Sequence, residues 1–177
     1  MTVKTKAVSA ILTDITTMGV DAIVNAANED MVGGGGVDGA IHRAAGPELK
    51  LETAKYAPLY VAQTAVTNGY NLKSKNIIHT VGPRYRGGDS GEYLALEMCY
   101  QRVILNAYNI GSKSVAIPAI SSGVYGFPKD RAAKIAVDAS ITATKAIKEL
   151  YGENDFEVIL VAYDKETLDL YLKYLKG

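Results

Sequence analysis

Six short runs rich in β-branched residues alternate with four longer stretches of helical periodicity, and this alternation restricts the chain to one broad architecture. Residues 6–12, 22–24, 64–67, 76–81, 114–117 and 156–162 read as strands bounded by polar or glycine-containing segments. Residues 37–45, 92–109, 129–151 and 165–175 read as helices. The third helix carries the clearest pattern: Ala132, Ala136, Ala139, Ala143, Ala146 and Leu150 recur at steps of three or four and draw one apolar stripe. Pro128 stands at its first position, where a missing N–H costs nothing, and Gly152 follows its end. Strands alternating with helices that each bury one stripe predict an α/β fold. It is a single three-layer α/β/α sandwich around a mixed, largely parallel sheet, with residues 1–177 as one domain.

Charge narrows the function. Lys plus Arg and Asp plus Glu number 19 each, so no global positive field draws the chain to nucleic acid or an anionic membrane. Residues 1–6 lack the apolar stretch of a secretory signal, and the longest apolar runs are too short to span a bilayer. The single cysteine, Cys99, falls at helical spacing between Leu96 and Val103 and reads as a buried thiol. A cytoplasmic monomer is expected.

In open α/β sheets ligands bind beyond the carboxyl ends of the strands, which directs attention to three loops. Residues 13–16 follow the first strand. Residues 25–39 pass two asparagines and four successive glycines before entering a helix near Asp38. Such glycines let several N–H groups turn inward, and the helix start adds positive potential, so an anionic or oxygen-rich ligand suits this corner better than a merely flexible loop does. Residues 119–128 repeat the device, with Gly123 and Gly126 bracketing Val124 and Tyr125 beside the hydroxyls of Ser121 and Ser122. Two such loops could grip a diphosphate from both sides. Tyr125 would offer a flat face to a sugar or base, or would simply pack on its own loop.

Rival motifs fail on context. Gly34, Gly36 and Gly39 satisfy G-x-G-x-x-G, yet residues 26–32 intervene after the strand and residues 52–60 do not read as a strand, against a dinucleotide fold. No G-x-x-x-x-G-K-[ST] or G-x-S-x-G occurs. His79 lies in an apolar strand and reads as a hydrogen-bonded structural residue, and His42 as a packing or capping one. One cysteine and two histidines supply few zinc ligands, so no metal and no cofactor are expected.

The three loops, in this order, resemble the macro domain family, and the run from Gly33 to Gly46 resembles its MacroD-type branch. The resemblance extends from Asp14 to the last strand, and the segment 79–83 agrees with it. It implies ADP-ribose as ligand. By this resemblance Asp14 accepts a hydrogen bond from the adenine amine, with the Ile15 amide beside it. Gly36 and Val37, with Ser121, Ser122, Gly123, Val124, Tyr125 and Gly126, wrap the diphosphate and distal ribose. Asn28 bonds the ribose hydroxyls, Tyr163 lies against adenine, and Asp38 is the acidic residue implicated in catalysis, alongside Asn28. From the residues alone, Asp38 reads as a helix N-cap; the resemblance makes it catalytic, and both roles can coexist. The implied activity is removal of mono-ADP-ribose from acidic side chains of proteins, deacetylation of O-acetyl-ADP-ribose, or both. A non-catalytic ADP-ribose reader is the alternative. The chain departs from the family pattern at Thr13, where glycine is usual, at Ser122, where threonine is common, and across 51–66, which lacks a cysteine-containing, Thr-Gly-bearing segment.

Overall fold

The computed structural model describes residues 4, 5 and 7–177; Lys6, the expected start of the first strand, lies outside the described residues. Seven strands form one sheet: β1 (Lys4–Thr5), β2 (Val8–Leu12), β3 (Ala22–Ala26), β4 (Thr64–Asn68), β5 (Asn76–Thr80), β6 (Ser114–Pro118) and β7 (Glu157–Ala162). Their order is β1-β2-β7-β6-β3-β5-β4. The five strands from β2 to β5 in that order run parallel, while β1 and β4 pair antiparallel at the edges. The mixed, largely parallel sheet expected from the sequence is the one observed.

Alternation along each strand divides the core in two. Val24, Ile78, Val115, Ile117, Val158 and Leu160 face one layer, which holds α3 (Glu92–Asn109), α4 (Lys129–Tyr151) and α5 (Lys165–Lys176). Ile23, Ile77, Ala116 and Val161 face the other, packed against Ile41 of α1 (Gly36–Ala45) and Leu49 of α2 (Glu48–Thr53). Because both faces are covered, the strands read as continuous apolar runs. Cys99 is buried, as its spacing predicts. Among the described residues no helix is long and apolar enough to cross a membrane.

The structure corrects several local expectations. Pro128 is the N-cap of α4 and not its first helical residue, because its ψ of 125° is extended. The stripe of α4 ends at Ile147, and Leu150 is 73% exposed. Gly152 closes that helix in the left-handed region, as anticipated. Helix α2 was not foreseen. It is only six residues long and follows a helical Pro47, so it has neither an apolar stripe nor a side-chain cap to announce it.

Candidate active site

The parallel register brings five loops to one edge of the sheet. Asp14 leaves β2, Tyr163 leaves β7, the 119–127 loop leaves β6, the glycine loop leaves β3, and residues 81–91 leave β5. The amide of Thr13 donates to the carbonyl of Ala162 at 3.1 Å, so Asp14 and Tyr163 leave the sheet side by side. Oδ1 of Asp14 accepts from the amide and hydroxyl of Thr16 at 2.9 and 2.7 Å and caps a 3-10 turn, Ile15–Thr17. Its second oxygen is left for an outside donor. Ile15 is buried as the first residue of that turn, and the Tyr163 ring is exposed.

On the β6 side the amide of Phe127 donates to the carbonyl of Ser121, and that of Gly126 to Gly123, closing a tight loop. Ser121 has φ 64° and is buried with its Oγ unpaired, while Ser122 Oγ turns back to the carbonyl of Ala119. Val124 is fully exposed at the tip. Tyr125 is half-buried with the Arg84 guanidinium 4.8 Å from its ring centroid, and its carbonyl accepts from the amide of Tyr85. The tyrosine is thus held by the loop after β5.

The glycine loop enters α1 earlier than expected. Gly35 is the N-cap, and Gly36, at φ 57°, turns the chain into the helix in a region that side chains rarely adopt. Asp38 is therefore the third helical residue and not the cap. No side chain caps this start, so the first amides, including those of Gly36 and Val37, are free to meet an acceptor. The position a Cβ would take on Gly34 lies 3.4 Å from Oδ2 of Asp38 and 3.5 Å from Nδ2 of Asn28. Both side chains thus approach Gly34, and Nδ2 of Asn28 donates to the carbonyl of Gly33 at 3.2 Å.

Asp38 is 6% exposed and is held from below by a chain of buried polar groups that sequence reasoning missed. Nδ2 of Asn25 donates to Oδ1 of Asp38 at 2.8 Å and also lies 3.1 Å from Nδ1 of His79. Nε2 of His79 lies 2.9 Å from the hydroxyl of Thr67, which donates to the carbonyl of Asn68. Only one proton arrangement satisfies the chain. A carboxylate accepts, so Asn25 turns its amino group toward Asp38; His79 accepts on Nδ1 and donates from Nε2 to Thr67. His42, one turn along α1, places Nε2 3.4 Å from Oδ1 of Asp38. Burial pushes the Asp38 carboxyl above its ordinary range, while the Asn25 hydrogen bond and His42 pull it partly back. Three of the five buried side-chain atoms without a partner among the described residues are Asn25 Oδ1, Asn28 Oδ1 and Ser121 Oγ, which marks this end of the sheet as built for an outside hydrogen-bonding group. Among the described residues no three metal-ligating groups cluster.

The structural role read for His79 is the one observed. Burial, then nearby His42, push its pKa down to about 3. Between that value and the unfolded value of 6.5 the unfolded chain binds a proton that the folded chain refuses, so this contribution to stability is complete above 6.5 and is lost as pH falls. Urea unfolding is expected to show a decline of up to about 1.4 kcal/mol per pH unit below that point. Nitrogen NMR should find His79 neutral and protonated on Nε2 at pH 5; an imidazolium there in folded protein would contradict the arrangement.

The chain is similar to known proteins over most of its length. The family model described as Macro domain matches residues 24–136. A macro domain-containing protein of Mesorhizobium japonicum is 47% identical over 90% of this chain and 88% of its own length. A protein of Enterobacter cloacae named O-acetyl-ADP-ribose deacetylase is 46% identical over 92% of this chain and 89% of its own. The Oceanobacillus iheyensis macrodomain solved with ADP superposes with a TM-score of 0.87 at 33% identity, covering 99% of this chain and 94% of that one.

Proposed function

The chain belongs to the macro domain family, and from that premise we propose that it binds ADP-ribose along the carboxyl edge of its sheet and hydrolyses an ester at the distal ribose. The substrates are O-acetyl-ADP-ribose and mono-ADP-ribosylated acidic side chains, which share that ester. The observation that carries the reading is the convergence of the Asp38 carboxylate and the Asn28 amide beside Gly34. The order of the strands supports it: β2, β7, β6 and β3 are successive neighbours. Asp14 and Tyr163 then meet adenine, the 121–126 loop and the amides at Gly36 and Val37 meet the diphosphate, and Asn28 meets the distal ribose. Three interstrand steps span about 14 Å, a length suited to an extended dinucleotide-like ligand. A relative named O-acetyl-ADP-ribose deacetylase and a neighbour solved with ADP support the same ligand class.

In this mechanism Oδ1 of Asn28 accepts from a ribose hydroxyl, and Oδ2 of Asp38 takes a proton from water as that water adds to the ester carbonyl. The ribose oxygen leaves and recovers the proton, giving ADP-ribose and a carboxylic acid. Burial keeps the Asp38 carboxylate a stronger base than an exposed aspartate. Activity should therefore fall as pH drops through a carboxyl pKa above the ordinary aspartate range.

Calorimetry tests the binding half. ADP-ribose is expected to bind more tightly than AMP, because AMP lacks the second phosphate that the 121–126 loop meets and the distal ribose that Asn28 meets. Asp14→Asn preserves the cap on the 3-10 turn but replaces the free carboxylate oxygen. It should weaken ADP-ribose by about 1.5–3 kcal/mol, the worth of a hydrogen bond to a charged group. Equal affinities for AMP and ADP-ribose, or an unchanged Asp14→Asn, would remove these contacts from the site.

A further inference from the structure

A cleft of about 370 Å³ opens on the far side of β3, beneath the segment that follows β5. Glu29, the residue after Asn28, and Tyr125 both line it. Because β5 is the next strand beyond β3, the cleft prolongs the line adenine, diphosphate, distal ribose by one further station. We propose that it receives the acyl partner of the scissile ester as a peptide segment, and that Arg84 and Arg86 read acidic side chains flanking the modified residue. This inference rests on the distal ribose lying between Asn28 and the 121–126 loop.

Size, charge and rigidity carry it. An acetyl group needs little more room than one or two waters of about 30 Å³ each, whereas this volume matches pockets for far larger ligands. Val61, Val81 and Pro83 give an apolar floor for methylene groups. Arg84 is oriented by the Tyr125 ring, and the Arg86 guanidinium makes no ion pair among the described residues. Glu92 also borders the cleft, but its carboxylate accepts backbone N–H groups of Arg86, Gly88 and Ser90 at 2.9, 2.8 and 2.5 Å. Those bonds answer its charge and fix the wall before a substrate arrives. Glu92 stays ionised, but its carboxylate is buried and turned to those amides, so the charged groups exposed to a ligand are two guanidiniums and Glu29, and a guanidinium fork matches a carboxylate.

The test uses three substrates: O-acetyl-ADP-ribose and two peptides mono-ADP-ribosylated at one glutamate, with acidic or with neutral flanks. Wild type is expected to favour the acidic peptide by roughly tenfold in kcat/KM at low salt, with the preference shrinking as salt rises. Arg86→Glu should abolish or reverse that preference, and Arg86→Lys should retain part of it. Both variants should leave ADP-ribose affinity and O-acetyl-ADP-ribose turnover unchanged. Equal rates on the two peptides, a preference that survives Arg86→Glu, or turnover of O-acetyl-ADP-ribose with neither peptide cleaved would each overturn the proposal while leaving ester hydrolysis standing. Failure to bind ADP-ribose at all would instead sink the underlying reading, and this one with it.

Discussion

Asp38→Asn is expected to fold normally, bind ADP-ribose, and turn over O-acetyl-ADP-ribose about 10²–10⁴-fold more slowly, the usual range for lost general-base assistance. The geometry separates this from a structural defect. Asp38 does not cap α1, because Gly35 does, so no cap is removed. An asparagine oxygen can still accept from Nδ2 of Asn25 at the position of Oδ1, which keeps the chain through His79 and Thr67 intact. Burial raises the Asp38 pKa, so at neutral pH the folded state carries the carboxylate at a cost that a neutral amide does not incur. The variant should lose no thermal stability. Melting curves, calorimetry and a single-turnover assay on this one variant decide the matter. Wild-type turnover would leave Asp38 as a buried polar residue without a catalytic part.

Gly39→Ala should cause the second large effect, against the expectation from helix propensity. Alanine is worth about 1 kcal/mol over glycine inside a helix, which predicts a gain. Here the added Cβ would lie 2.3 Å from the backbone carbonyl oxygen of Gly34, and a backbone atom cannot step aside as a side chain can. Overpacking of this kind costs about 1–3 kcal/mol. Relief comes from moving the glycine loop, and Gly34 is where Asn28 and Asp38 converge. The melting temperature should fall and the Kd for ADP-ribose rise by about tenfold or more. Gly19→Ala, where nothing lies within 4 Å, serves as the neutral control. A stabilised Gly39→Ala with full affinity would show that the loop does not need this close approach.

What the sequence revealed and what it hid follow from the range of the interactions. Strands buried on both faces produce β-branched runs that a local window detects, and the loops after them carry glycines and hydroxyls in plain view. Asp14, Asn28, Ser121 and Tyr163 could be named as candidates because each stands in such a loop, and Asp38 because it stands in the first turn of the helix that follows one. The support beneath Asp38 could not be read locally. Asn25 and His79 are 54 positions apart and meet only because β3 and β5 pair with these two residues opposite each other. Thr67 joins from β4, across one more strand. Asn25 stood in the quoted loop, but nothing near it in sequence shows that its amide faces inward. The cleft beyond β3 was hidden for the same reason: Glu29, Val61, Arg86 and Tyr125 come from four separate segments. The misplacement of Asp38 at the helix start had a different cause. A helix entered through a glycine at positive φ shifts its cap by residues that periodicity cannot count.

An enzyme at this edge of the sheet would hydrolyse an ADP-ribosyl ester and do more than hold the nucleotide. Mass detection of free ADP-ribose, released on incubating the protein with O-acetyl-ADP-ribose and with a mono-ADP-ribosylated acidic acceptor, tests it most directly. ADP-ribose is expected to accumulate over many turnovers with wild type and to be released hardly at all with Asp38→Asn at equal ligand occupancy. Saturable binding of ADP-ribose with no release from either substrate would contradict it and leave the chain a reader of the modification.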